Sequence, residues 1–209
     1  MSRGRFLSLE GGEGAGKSTQ ARALAAALRE RGVEAVVTRE PGGSAGAEAI
    51  RALLLEGEPG RWSARAETLL FAAARADHVE KVIRPALDEG RWVICDRFVD
   101  STRAYQGVAG GIDDADVLAL HAFGSEGLLP DRTFLLTLSL ALGAERSALR
   151  DRGASDRFAA RGSDFHAAVA TAFAHFAAAE PERFRRIDAA QPPEAVTAAM
   201  LAALADWLP

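Results

Sequence analysis

Cysteine is almost absent: Cys95 is the only one in 209 residues. That excludes an internal disulfide and any metal site built from several thiolates, and it suits a reducing cytosol. An excess of charge of either sign is missing too. With 25 basic and 29 acidic residues the formal net charge is −4, which gives no basic footprint for nucleic acid or an anionic membrane surface. No apolar run approaches the ~20 residues that span a bilayer. The N-terminus lacks the basic-then-apolar layout of a secretory signal. A cytoplasmic protein with no nucleic-acid or membrane partner is therefore expected. Internal repeats, linkers and low-complexity tails are also lacking. What remains is an ordinary globular composition, 48% hydrophobic and 26% charged, with enough chain for one α/β domain and its core.

Strand-like and helix-like stretches alternate along the chain. The segments 5–9, 34–38, 91–96, 133–138 and 184–187 are short and apolar or β-branched. The segments 19–31, 45–57, 64–89, 113–124, 143–151, 163–179 and 193–207 carry helical patterning. This alternation predicts a three-layer α/β fold, a parallel sheet with helices on both faces, as a single domain over residues 1–209. Ligands of such a sheet gather beyond the carboxyl ends of its strands.

Between the first strand and the first helix stand Gly11, Gly12, Glu13, Gly14, Ala15, Gly16, Lys17 and Ser18, followed by Thr19. They fit Gly-x-x-x-x-Gly-Lys-[Ser/Thr], and strand, glycine loop and helix in that order make the pattern a phosphate site. Glycines let successive backbone N–H groups point inward at phosphate oxygens, and the helix N-terminus adds partial positive charge. Lys17 would reach the terminal phosphates of a nucleoside triphosphate, and the Ser18 hydroxyl would hold Mg²⁺.

A phosphate loop alone says only "nucleotide", so the second substrate has to come from other residues at the same sheet edge. Asp96 ends an apolar strand and fits an acid that orients metal-bound water or an acceptor phosphate; a helix cap or ion-pair partner is the plainer alternative. Arg39 and Arg97 follow strand ends, and a guanidinium matches a phosphate bidentately. Two of them beside a triphosphate site suggest an acceptor that is itself a phosphate. Phe71 and Arg75 lie four apart on a helical face. They could stack and hydrogen-bond a base, although spacing alone favours a core phenylalanine with a snorkelling arginine. The stretch 146–162 holds Arg146, Arg150, Arg152, Arg157 and Arg161. It reads either as a small arginine-rich lid over transferring phosphates or as a solvated helical face offset by Asp151 and Asp156. Histidines 78, 121, 166 and 175 show no metal-ligand spacing and read as surface or helix residues.

With those residues in view, the chain closely resembles the bacterial branch of the thymidylate kinases, within the nucleoside monophosphate kinase group of P-loop proteins. The resemblance runs from about residue 5 to residue 205. It rests on Glu10-Gly-Gly-Glu-Gly-Ala-Gly-Lys-Ser-Thr19, Thr38-Arg-Glu-Pro-Gly-Gly-Ser44, Leu70-Phe-Ala-Ala-Ala-Arg75, Asp96-Arg-Phe-Val-Asp-Ser-Thr-Arg-Ala-Tyr-Gln-Gly107 and Ile187-Asp-Ala-Ala-Gln-Pro192. It implies transfer of the γ-phosphoryl group of ATP to thymidine 5′-monophosphate, with Mg²⁺ held by Ser18 and Asp96. It implies that Arg39 and Arg97 grip the acceptor phosphate, that Phe71 stacks on thymine, and that Arg75 meets the carbonyl edge. This reverses the preference drawn from spacing. Ser101 and Thr102 match positions near base and phosphate, and Tyr105 an aromatic under the sugar that disfavours a 2′-hydroxyl. Gln106 matches a further nucleoside contact, and Glu13 a loop acid near the 3′-hydroxyl. A homodimer in the cell interior is implied as well.

The variable loop positions carry no cation, so the missing positive charge must come from the lid, with Arg152 first and Arg150 and Arg157 next. Ala74, Ala159 and Thr137 depart from the family pattern, each removing a carboxylate that relatives often carry. A kinase acting on dUMP or a deoxynucleoside, and a nucleotide sensor with no acceptor site, are the alternatives. The Phe71/Arg75 and Arg39/Arg97 sets argue against the sensor.

Overall fold

The computed structural model describes residues 3–58, 60–151, 158 and 161–208, with Arg150 and Asp151 in backbone only. Five parallel strands make one sheet: β1 (Phe6–Glu10), β2 (Ala35–Arg39), β3 (Trp92–Asp96), β4 (Arg132–Thr137) and β5 (Phe184–Asp188), in spatial order β2-β3-β1-β4-β5. The central strand β1 is buried along its whole length, as a parallel strand covered on both faces must be. Strand order reverses direction at β1, which opens a crevice at its carboxyl end. Register sets Leu9 and Arg39 on either side of Asp96, so the ends of β1, β2 and β3 meet at one edge.

The helices are α1 (Lys17–Arg29), α2 (Ala45–Leu55), α3 (Ala64–His78), α4 (Arg84–Asp88), α5 (Val99–Thr102), α6 (Asp114–Ser125), α7 (Leu140–Asp151), α8 (Ser163–Ala179) and α9 (Pro193–Ala202). Strand side chains alternate between two faces, and the helices follow them. Leu7, Leu9, Ile94, Phe134 and Leu136 pack with Leu24 and Leu28 of α1 and with Val196 and Met200 of α9. On the opposite face, Phe6, Val93 and Cys95 pack with Val79, Ile83 and Leu87, and Leu135 with Val169, Phe173 and Phe176 of α8. Each large side chain fully buried this way contributes about 1.5–3 kcal/mol. Among the described residues no helix is long and apolar enough to cross a membrane.

Three expectations need correction. The helix expected over 64–89 is not uniform: α3 passes through a π-helical turn, Val79–Ile83, into α4. Pro85 lies in the first turn of α4; its missing N–H and its ring cannot continue the regular ladder. The segment after Asp96, left out of the expected helices, is helical: α5 runs on as a second π-helical stretch, Arg103–Val108. Buried Asp100 anchors it, accepting from Arg183 Nη1 at 2.6 Å and Arg103 Nη1 at 3.1 Å. Finally, α7 begins at Leu140 rather than 143. Gly143 is no break; a Cβ there would come within 2.8 Å of the Glu13 carbonyl, so the glycine lets α7 lie against the phosphate loop. Of the expected lid only residues 146–151, 158, 161 and 162 are described. Residues 146–151 belong to α7, whereas Arg152, Arg157, Asp156 and Ala159 lie outside the described residues.

Candidate active site

The phosphate loop leaves β1 at Gly11 and enters α1 at Lys17. Gly11 has φ +138°, and a Cβ there would lie 2.5 Å from the Leu136 carbonyl; both facts require glycine. Gly14 has φ +71°, and a Cβ there would strike the Gly143 carbonyl. Lys17 is buried and donates to the carbonyls of Gly11 at 3.1 Å and Gly12 at 2.8 Å. Burial, and then Arg97, lower its ammonium to about 8, against the pull of Glu13, Asp96 and Glu10. A cation brought so close to losing its proton gains strongly from an arriving phosphate. Beside it the Ser18 hydroxyl donates to the Asp96 carboxylate. Hydroxyl and carboxylate are hard oxygen donors, and one of each fits a magnesium ion that otherwise keeps water and phosphate ligands.

On the far side of the loop stands Arg97. Its Nη2 donates to Glu13 Oε1 at 2.5 Å and to the Tyr105 hydroxyl at 3.3 Å, and its Nη1 to Ser101 Oγ at 3.1 Å and the Gly11 carbonyl at 3.2 Å. Burial works against its charge, but Tyr105, Glu13, Asp96 and Glu10 together hold it firmly ionised. Burial also pushes the Tyr105 phenol up to about 12, so it stays protonated. Arg75, on α3, is buried; its Nε donates to Glu40 Oε2 at 2.8 Å and its Nη2 to Thr102 Oγ1 at 2.7 Å. Phe71, one turn before it, meets Phe158 edge-on at 5.7 Å. Loop, arginines and aromatics open into one cleft of about 550 Å³.

The fold agrees with known relatives. A family model described as thymidylate kinase matches residues 9–200. The chain belongs to the thymidylate kinase family. A thymidylate kinase from Rhizorhabdus wittichii is 61% identical over 206 residues, covering 99% of both chains. One from Caulobacter vibrioides is 48% identical, covering 96% of this chain and 95% of the relative. The crystal structure of thymidylate kinase from Ehrlichia chaffeensis superposes with a TM-score of 0.77 at 31% identity, over 97% of this chain and 99% of that one.

Against that family pattern the expected residues fall as follows. Lys17, Ser18, Thr19, Glu13, Gly14 and Gly16 line the cleft on the loop side, with Asp96 and Arg97 at the end of β3. Gly11, Gly12 and Ala15 belong to the same loop but do not line the cleft. Arg39 reaches the cleft from β2, half exposed and paired with Glu48 at 2.9 Å. Phe71, Arg75, Ser101, Thr102, Tyr105 and Gln106 form the other wall. Gln106 is held by its Nε2, which donates to Glu67 Oε1 at 3.0 Å. The side chains of Arg150, Arg152 and Arg157 lie outside the described residues. Arg146, one turn before Arg150, also lines the cleft and donates to the Ala189 carbonyl at 2.8 Å. Thr137 donates to the Ile187 carbonyl at 3.1 Å.

Sequence reasoning missed the carboxylates beneath the site. Glu10, Glu40 and Glu67 are all buried. The one available signal was an acid ending or directly following an apolar strand, as at Glu10 and Glu40. His78 and His121, read as surface or helix residues, are helical but buried. Glu40, His78 and Cys95 bring one donor atom each within 4.8 Å of one another. Both imidazole nitrogens are nevertheless engaged by Glu40 and Thr38, and the thiol by the Arg97 carbonyl, so the cluster is closed by its own hydrogen bonds.

Glu10 carries a testable consequence. It accepts from the Phe98 amide at 2.7 Å and from Ser101 Oγ at 2.6 Å. Burial, then Asp100, raise its carboxyl from 4.5 to about 8, while Ser101, Arg97 and Phe98 oppose the rise. Between those two values the native state binds more protons than the unfolded chain, so stability present at low pH is lost as pH rises through about 8. Glu10→Gln removes this titration. Its melting temperature should fall less than that of the unmodified protein between about pH 5 and 9. Two parallel curves would contradict the assignment.

Proposed function

We propose that this cleft holds ATP on the glycine loop and dTMP against Arg97, Arg75 and Phe71, and passes the γ-phosphoryl group between them. As a member of the thymidylate kinase family the chain is an ATP-dependent nucleoside monophosphate kinase that phosphorylates dTMP to dTDP. The observation that carries the residue assignment is the opening of a phosphate loop and an arginine–aromatic wall into one cleft. Lys17 meets the β- and γ-phosphates. Arg97 and Arg39 hold the acceptor phosphate, one oxygen of which bonds to the γ-phosphorus as the bond to the β-phosphate oxygen breaks and ADP leaves. Phe71 stacks on thymine, Arg75 donates to its carbonyl edge, and Tyr105 sits under the sugar. Glu13 lies near the 3′-hydroxyl; Ser101, Thr102 and Gln106 complete the nucleoside side.

Ser18 and Asp96 would hold Mg²⁺, which when bound neutralises charge on the triphosphate. The transition state spreads negative charge over the transferring group, and arginines near it contribute about 10³–10⁵ in rate. Because Gly12, Glu13, Gly14 and Ala15 supply no cation, we assign that role to Arg152, with Arg150 and Arg157 beside it, in a lid over about 146–162 of a single domain. A cytoplasmic homodimer is part of the same reading.

A coupled assay with dTMP, dUMP, dCMP and thymidine tests it. The 5-methyl group that separates dTMP from dUMP allows only about 10–200-fold preference, and thymidine, lacking the acceptor phosphate, should be inert. ATP consumption that ignores dTMP overturns the reading. Arg152→Ala should lower kcat about 10³-fold with little change in the Kd for dTMP by calorimetry; an unchanged kcat moves the role to another lid arginine.

A further inference from the structure

Behind Arg75 a hydrogen-bond chain runs through Glu40 and His78 to Thr38. Arg75 and His78 are three apart on α3, so they share a face, and both reach the same carboxylate. Glu40 Oε2 accepts from Arg75 Nε at 2.8 Å, and Glu40 Oε1 is 3.1 Å from His78 Nδ1. The other imidazole nitrogen, Nε2, is 2.7 Å from Thr38 Oγ1. An ionised carboxylate only accepts, so Nδ1 carries a proton. With Nε2 accepting from the Thr38 hydroxyl, one neutral tautomer satisfies all three groups. The ring is clamped as well as bonded: it is fully buried, and a Cβ on Gly43 would strike both it and the Thr38 hydroxyl. Of this chain Glu40 and Arg75 line the cleft, whereas His78 does not. Arg75 spends Nε on Glu40 and Nη2 on Thr102, and its guanidinium lies over the Phe98 ring at 5.3 Å. Among the described residues Nη1 has no hydrogen-bond partner, and Arg75 lines the cleft.

We propose that His78, seconded by Thr38, is a positioning residue for base selectivity: it fixes Glu40 so that Arg75 presents Nη1 to the nucleobase in one orientation. A guanidinium offers donors only. Held still, it matches a pyrimidine with a carbonyl at the 4-position and opposes one with an amino group there. Allowed to swing, it can turn another edge or withdraw, and the discrimination weakens. This inference rests on the reading above that Arg75 meets the base.

The test compares kcat/KM for dTMP and for dCMP, at saturating ATP, in four variants whose folding is checked by melting temperature. Asparagine places its side-chain NH₂ where Nδ1 stands, whereas glutamine reaches only toward Nε2. His78→Asn should therefore keep the dTMP/dCMP ratio near that of the unmodified protein, and His78→Gln should lower it about tenfold, mainly through the KM for dTMP, with the KM for ATP unchanged. Thr38→Val lies on an edge strand and leaves the core alone; it should lower the ratio about threefold. Arg75→Met separates the two claims. If it leaves the ratio intact, the base reading itself fails. If it collapses the ratio while His78→Gln and Thr38→Val do not, only the positioning inference fails. Equal effects of His78→Asn and His78→Gln would mark a packing role and overturn the inference.

Discussion

Lys17→Met is expected to cut kcat about 10³-fold while raising the melting temperature of the ligand-free protein. The two effects have one cause. The ammonium is buried and lowered from 10.5 to about 8, burial being the largest contribution. Between those values the unfolded chain binds more protons than the native state, so at neutral pH this group costs stability, and the cost fades as pH climbs from about 8 to 10.5. Methionine fills similar volume without the charge. It forfeits the bonds to the Gly11 and Gly12 carbonyls, a smaller loss than the relief of removing an ammonium from a buried site. Catalysis loses more. A fixed cation in a water-poor site needs no reorganisation as charge moves to the bridging oxygen, and methionine offers nothing in its place. Added ATP should also raise the melting temperature of the variant less than that of the unmodified protein. Retention of kcat within tenfold, or a lower melting temperature without ligand, would refute the account.

Legibility from sequence followed the distance over which each feature is built. The phosphate loop is local: its turn, cation and hydroxyl lie within eight consecutive residues, and chain order alone placed them at the junction of β1 and α1. The convergence of Glu13, Arg39, Asp96 and Arg97 was legible one step further on, because alternating strands and helices imply which ends face the crevice. Features made by partners far apart in the chain were not. Arg75 looked like a snorkelling side chain because nothing in its own helix shows Glu40, 35 residues earlier. The helical state of 99–108 depends on Arg183 reaching Asp100 across 83 residues. The use of Gly143 was hidden in the same way, since it serves close approach to the Glu13 carbonyl in the phosphate loop. The π-helical turn at Val79–Ile83 was announced by Pro85, but a proline inside an otherwise apolar periodic run signals a disturbance without fixing its form.

Arg97→Ala should raise the KM for dTMP about 100-fold with the KM for ATP within about threefold, since a desolvated, charge-assisted phosphate contact is lost on the acceptor side alone. The backbone at this position permits a sharper test. Arg97 has φ 70°, the left-handed region that side chains with a Cβ avoid at about 1–2 kcal/mol. Such strain persists where the surroundings over-determine it, commonly at a working site. Here the guanidinium is tied at four points, to Gly11, Glu13, Ser101 and Tyr105, while the Arg97 amide donates to the Leu9 carbonyl at 2.9 Å. Strand end and side chain therefore fix the turn from both sides. Arg97→Gly and Arg97→Ala remove the same guanidinium and leave Glu13 and Tyr105 without it, so their dTMP kinetics should be alike. Glycine alone adopts φ 70° without the Cβ penalty, so the glycine variant should melt about 2–6 °C above the alanine variant. Different dTMP kinetics with equal melting would mean that the contact, and not the turn, depends on the residue's Cβ. An unchanged KM for dTMP in both would remove Arg97 from the acceptor site.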